Sequence, residues 1–303
     1  MKMLRSAEVM DGAVPDMGLG EIARRRVVVR DCARRSIRRR RITGRAMQVS
    51  CLITVPIGVA PLVALVIATV SRGAGALNIG FLLHAPTPEG VPGGGISTAI
   101  VGSGEIVAYA LALAVPLGLF IALFLFERPG PIASSIRFSA DVMSGVPSII
   151  IGIFAYAVYV EQFHRFSNVA AGFALGVLML PIMIRANEEA MRTVSVDLWE
   201  AGISLGARRS RVARSVVLRG ALPGVVTGNL LAVARAVGET APLLFTVASP
   251  TLAMTLLIFN DSTQPFADAQ QTAWGTALVL LALVLILSVT ARTIAWTLNR
   301  KTR

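Results

Sequence analysis

Histidine and cysteine are almost missing from this chain. His84 and His164 are its two histidines, and Cys32 and Cys51 its two cysteines, in 303 residues. Two cysteines build no disulfide framework, and two histidines so far apart in sequence offer no shared metal site. Both histidines fall in connections between apolar runs, which leaves no candidate Ser-His-Asp set. The phosphate-cradling loop GxxxxGK[ST] and the zinc helix HExxH are absent as well. The chain is therefore expected not to be an enzyme, and to hold neither a cofactor nor a metal; if ATP drives its work, another chain must bind it. Acidic residues are few, 17 against 29 Lys plus Arg, for a net charge of +12. No aromatic residue interrupts the Arg-rich first 46 positions, so the stacking platform of a nucleic-acid arm is lacking and no nucleic-acid partner is expected.

What is present is apolar length. At 54% hydrophobic residues and a mean hydropathy of +0.70, the chain holds more apolar surface than one water-soluble domain can bury. Met47–Val70 runs 24 positions without a charge, enough to cross a hydrocarbon core of about 30 Å at about 1.5 Å per residue. Pro56 and Pro61 are expected to kink it. Further spans are expected at Ile106–Phe126, Val142–Val160, Val169–Ile184, from near Ala221 through Arg235 and Glu239, and at Thr272–Thr290. That makes an all-α, polytopic membrane protein with six transmembrane helices. Pro147 reads as the first-turn proline of the third span. Gly145, Gly152, Gly172 and Gly176 read as helix-packing sites. The Gly/Pro-rich HAPTPEGVPGGGIST is turn-forming. Residues 250–271 read as a lateral or re-entrant outer-face helix, because a seventh span would carry the basic C-terminus to the opposite side.

Lys and Arg set the orientation. Thirteen precede the first span, two lie in 127–141, seven in 185–219 and four in the C-terminal tail, whereas the alternate connections hold one, one and none. Both termini and the 185–219 segment are thus expected in the cytoplasm. The expected organisation is a cytoplasmic Arg-rich tail over 1–46, a first transmembrane helix and outer loop over 47–92, a transmembrane domain over 93–296 with a loop at about 195–219, and a short tail over 297–303. The N-terminal tail has no apolar h-region, so a cleaved signal peptide is not expected; it is read as an anchor on the anionic headgroups of the bilayer.

The 185–219 segment looks like two short amphipathic helices around a turn at Gly206. Gly202 and Gly206 permit close backbone approach, and Glu200 is placed to cap or pair near a helix start. Glu200-Ala201-Gly202, three residues, Gly206, nine residues and then Val216-x-Leu218 resembles the EAA motif of ABC importer permeases, which reads Glu-Ala-Ala, three residues, Gly, nine residues, Ile-x-Leu-Pro. Gly202 stands in place of the second Ala and Arg219 in place of the Pro; Pro223 is read as the break before the next span. Stretches GVPSIIIGIF (145–154), LPIMIRANEEA (180–190), ALPGVVTGNLLAVARAVGETAPLLFT (221–246) and AWGTALVL (273–280) resemble the PstA-type permeases of phosphate-specific ABC importers. GGGI (93–96) and NDSTQPFADAQQ add to that likeness, which covers roughly residues 93–295.

The resemblance implies a type I ABC importer permease (MetI-like) fold in a cell membrane. It implies that Glu200, Ala201, Gly202 and Gly206 dock a cytoplasmic ABC ATPase subunit, that a second, homologous permease completes the pore, and that an extracytoplasmic phosphate-binding protein delivers the substrate. It also implies that Arg235 and Glu239 are needed for transport. The chemistry of an anion suits that stretch. Arg235 and Glu239, four apart, would share a helix face and pair, and a guanidinium fork meets phosphate oxygens bidentately. Arg185 would extend a positive route toward the cytoplasm. Blander readings stand beside these: a buried structural ion pair for Arg235 with Glu239, an ordinary positive-inside residue for Arg185, and helix-start capping or solvation for Glu188 and Glu189. Sulfate or molybdate is the alternative substrate, and an intramembrane enzyme or receptor-like anchor the reading from another class.

Overall fold

Inside hydrocarbon each backbone N–H and C=O must find its partner within its own segment, which favours helices. Every regular element in the computed structural model, which describes residues 19–87 and 93–301, is helical. The first eighteen residues of the Arg-rich tail and 88–92 of the Gly/Pro-rich segment lie outside the described residues. The chain divides into two units, 1–66 and 67–303. The boundary falls inside α1 (Leu19–Gly73), which takes in the whole first apolar run.

The second unit continues through α2 (Ile79–Leu83), α3 (Ser97–Glu127), α4 (Pro131–Ser144) and α5 (Ser148–Ala155). A π-turn at Tyr156–Val160 leads from α5 into α6 (Glu161–Phe163). After α7 (Asn168–Arg192) come α8 (Val196–Ser204) and α9 (Arg209–Val212), and a second π-turn at Ala213–Val217 joins α9 to α10 (Leu218–Val237). α11 (Met254–Thr263) and α12 (Ala267–Lys301) close the unit. Five helices, in α1, α3, α7, α9–α10 and α12, are long and apolar enough to cross a membrane; the bent pair α4 with α5–α6 makes a sixth if counted as one span.

That pair corrects the expected straight third span over Val142–Val160. The helix stops at Ser144, restarts at Ser148 and turns by 102° between the two. Pro147 has no N–H for a helical bond and disfavours helical backbone at Val146, so the chain re-enters a helix only after it. Its carbonyl then accepts from the Ile150 N–H at 3.0 Å. Pro223 does the opposite of what was expected: it lies inside α10, and Arg209–Val237 forms one rod of 29 residues. At ten residues, or about 15 Å, α11 is too short to span and packs at the start of α3, where the Met254 N–H donates to Ser103 Oγ at 2.9 Å.

Small residues set the packing. A Cβ on Gly172 would come within 2.4 Å of Tyr109 Cβ, and one on Gly176 within 2.8 Å of Leu113 Cδ2, so α3 and α7 run parallel in close contact. A Cβ on Gly224 would come within 2.8 Å of Ala190 Cβ and one on Gly228 within 2.7 Å of Ala186 Cβ, which sets α10 antiparallel to α7. A Cβ on Gly152 would come within 2.7 Å of Pro242 Cα, while one on Gly145 would meet nothing nearer than 3.4 Å, so Gly145 belongs to the bend instead of to a helix contact. Ile106, Leu175, Met179, Met183, Val233 and Leu243 fill the central core. A second core toward the α8 end joins Leu123, Met191, Val217 and Val225.

Candidate functional site

The α7–α10 register places Arg235. Carrying the Gly224–Ala190 and Gly228–Ala186 contacts along both helices puts Arg235 level with about Met179, midway along α7. Arg235 is exposed in the last turn of α10, where a cation complements the partial negative charge of the helix end. The expected pair with Glu239 is not formed. α10 stops at Val237, and the N–H groups of Gly238 and Glu239 turn back onto the carbonyls of Arg235 and Ala236, both at 3.1 Å. Glu239 thus leaves the helix before the i,i+4 geometry is completed; Gly238, with Pro242 four residues on, weakens helix continuation at this point. The ion pairs among the described residues all involve Glu188 or Asp141, so Arg235 stands without a carboxylate partner.

Residues 238–253 are largely irregular. Such backbone is tolerated at membrane depth where protein buries it or where it lines water. Leu243 and Thr246 are buried, and the Thr246 carbonyl accepts from the Ser167 N–H at 3.0 Å. Glu239 is half-buried, and its carbonyl accepts from Thr255 Oγ1 at 3.4 Å.

Arg185 lies six residues along α7 from the Met179 level, about 9 Å toward the α8 end. It stands inside α7, which runs on to Arg192, and not at the helix end. Its guanidinium forks onto Asp141 of α4, with Nε to Oδ1 at 2.7 Å and Nη2 on Oδ2. Nη1 lies 3.6 Å from Glu188 Oε2. Glu188 is the hub of this cluster and neither caps nor solvates a helix start. It is buried at 2% exposure and accepts at one oxygen from Arg137 Nε at 2.7 Å and from Arg192 Nη2 at 2.8 Å. Glu189, one position on, is exposed. Asn187 beside them is fully buried, and neither of its side-chain polar atoms has a partner. The cluster ties α4 to α7, so Arg185 is committed to Asp141 in this conformation. Sequence reasoning missed Asp141 and Arg137 and gave Glu188 a capping or solvated role instead of a buried one. The available signal was a carboxylate within an apolar helix run, which has to be paired.

The loop forms its turn at Gly206, whose φ of +80° lies in the left-handed region that glycine adopts without steric cost. α8 begins at Val196, where the Ser195 hydroxyl accepts from the Asp197 N–H, so Glu200 sits well inside the helix and caps nothing. Trp199 turns inward edge-to-face on Phe126, with ring centroids 5.3 Å apart. Gly202 faces Val212, and a Cβ there would come within 2.8 Å of a Val212 methyl carbon, which accounts for glycine in place of alanine. Glu200 and Ala201 point outward together with Val196, Leu198 and Leu205, the last 89% exposed. Apolar side chains set beside a carboxylate on one outer face suit a protein contact. The second expected short helix is not separate: α9 runs straight into the spanning rod, so a displacement of α8 against Val212 reaches α10 directly. No group of three or more His, Cys, Asp or Glu placed to hold a metal occurs among the described residues.

The family model described as "Binding-protein-dependent transport system inner membrane component" matches residues 114–303. The phosphate transport system permease protein PstA of Yersinia pestis is 34% identical over 267 residues, 84% of this chain and 90% of that protein. PstA of Xylella fastidiosa strain 9a5c is 33% identical over 270 residues, 85% and 93% of the two chains. PstA 1 of Mycobacterium tuberculosis strain H37Rv is 34% identical over 223 residues, 69% and 72%. Among solved structures, an inward-facing MetNI methionine ABC transporter chain aligns with a TM-score of 0.58 at 20% identity, covering 66% of this chain and 96% of that one.

Proposed function

The chain belongs to the family of binding-protein-dependent transport system inner membrane components, and on that premise we propose that it is the permease subunit that carries inorganic phosphate across the membrane in an ATP-driven importer. The observation that carries the reading is Arg235, an exposed and unpaired guanidinium level with the middle of α7. A cation at such depth is costly unless it faces a polar route, and its fork suits a tetrahedral oxyanion. The relatives named above, phosphate transport permeases over most of their length, support phosphate as that oxyanion.

ATP is bound by a partner ATPase that seats on the outer face of α8, around Glu200, Ala201 and Gly202. Both termini lie on the same, cytoplasmic side. Nucleotide-driven closure of the ATPase pushes α8 about the Gly206 turn, and the Gly202–Val212 contact hands the push to the α9–α10 rod that carries Arg235 in its last turn. A second permease subunit supplies the facing half of the route, and an extracytoplasmic binding protein delivers phosphate to Arg235, with Glu239 beside the same route. Arg185 receives the anion on the α8 side once Asp141 releases it.

Competition among oxyanions tests the substrate. In vesicles reconstituted with the full complex, labelled phosphate uptake should fall with excess unlabelled phosphate and persist in equal sulfate or molybdate. Efficient competition by sulfate or molybdate would replace phosphate with that oxyanion and leave the permease architecture standing.

A further inference from the structure

Arg185 and Arg235 face one side of the α7–α10 seam. Ala186 stands opposite Gly228 across it. At about 100° per residue, Arg185 is turned about 100° back from Ala186. Arg235, seven residues past Gly228, is turned about 20° back from that contact. Between antiparallel helices, a backward turn on each leads to the same side. That side is open: Arg235 is exposed, and the side chains of Arg185 and its partner Asp141 are 38% and 56% exposed. The pair lies about 9 Å from the Met179 level, inside a hydrocarbon half-thickness of about 15 Å. Ionised groups at that depth face a polar route. One turn past Asp141 the chain leaves the helix, and Gly145 and Pro147 in the break are exposed. Open non-helical backbone is tolerated at membrane depth where it lines water. An open ion pair and an open helix break thus mark the same stretch as wet.

Asp141 occupies the Arg185 guanidinium as a substrate would. Nε donates to Oδ1 at 2.7 Å and Nη2 donates to Oδ2, the two-pronged contact that a tetrahedral oxyanion also makes. Nη2 donates in addition to the Arg137 carbonyl at 3.3 Å, which holds the plane of the fork. Glu188 is no rival acceptor, being buried with Arg137 and Arg192 on one of its oxygens. An ionised carboxylate accepts hydrogen bonds and donates none. An anion that reaches Arg185 therefore sits beside a group with no proton to give. Near neutral pH inorganic phosphate keeps at least one proton on oxygen and can donate it. Sulfate and molybdate keep none, so their oxygens meet the carboxylate as like charge against like.

We propose that Asp141 is a specificity-determining residue of the permease, selecting tetrahedral oxyanions that still carry a proton. It yields the Arg185 fork to the anion and then accepts a hydrogen bond from the anion's own hydroxyl; no proton is transferred. Fully ionised oxyanions lack that bond and are repelled. The chain thereby sorts its substrate a second time, after the binding protein. The inference rests on the phosphate reading above and adds to it the form of the anion that this site takes.

Anion binding to the full chain, purified in mild detergent with its co-purifying subunits but without the binding protein, tests this. The readout is the rise in melting temperature with added phosphate, arsenate or sulfate at constant ionic strength. Phosphate and arsenate, each carrying a proton, should bind about tenfold or more tighter than sulfate, as one hydrogen bond to a charged group provides. In D141N both classes should bind tighter, because the resident carboxylate no longer competes. The phosphate-to-sulfate ratio should at the same time fall by about tenfold. D141E, which keeps the acceptor, should retain most of the preference, and D141N added to R185Q should change the ratio no further. Two results would overturn the proposal while leaving phosphate transport standing: an unchanged ratio in D141N, or arsenate grouping with sulfate on the wild-type protein. Sulfate prevailing in the uptake competition would instead remove the phosphate reading on which the proposal rests.

Discussion

Arg235→Gln is expected to reduce phosphate uptake by about a hundredfold or more while the protein still inserts and assembles. A hydrogen bond to a charged group contributes about 1.5–3 kcal/mol, so losing both arms of a fork costs at least about 3 kcal/mol, and each 1.4 kcal/mol is about a factor of ten. Assembly should be spared because Arg235 is exposed and tied to no carboxylate; the one native interaction removed is with the end of α10, about 0.3–1 kcal/mol. Arg235→Lys should fall between, since an ammonium keeps the charge without the planar fork. Labelled phosphate uptake in reconstituted vesicles, beside the yield of complex from the same membranes, checks both halves. Full uptake by the glutamine variant would remove Arg235 from the path.

Glu188→Ala should destabilise the second unit. The carboxylate is buried and answers to three arginines on two helices: Arg137 from α4, with Arg185 and Arg192 from α7. Removing the carboxylate costs about 1–3 kcal/mol, chiefly because the largely buried Arg137 loses its acceptor, whereas Arg185 keeps Asp141 and Arg192 is exposed to solvent. Glu189→Ala is the matched control. That side chain is exposed on the same turn, and a surface substitution of this kind stays within about 0.5 kcal/mol. Thermal unfolding of the two variants in detergent should separate them clearly. Indistinguishable melting would mean that the cluster does not tie α4 to α7.

Local signals were legible in the sequence, and relations between distant segments were not. The spans in α1, α3, α7 and α12 could be read because apolar runs and their flanking charges are properties of neighbouring residues. Gly206 was readable as a turn for the same reason. The 102° bend was only half visible: Pro147 marks where a helix can start, but nothing local says that α4 keeps the apolar residues on one side of the break and α5 those on the other. Arg235 and Glu239 show how a periodicity argument fails at a helix end. Their spacing promises a shared face, yet Gly238 and Pro242 were in view and favour the stop that separates them. The Glu188 cluster was hidden because Arg137 lies 51 positions away.

ATP dependence is the sharpest test of the whole account, in which a partner ATPase pressing on the α8 face moves the α9–α10 rod and carries an oxyanion past Arg235. Phosphate accumulation should be measured in sealed vesicles holding this chain with its co-purified subunits, with the phosphate-binding protein outside and nucleotide inside. The account predicts accumulation against a gradient with ATP, and none with ADP or after removal of the ATPase. Equal phosphate entry without ATP, or by this chain alone, would contradict it.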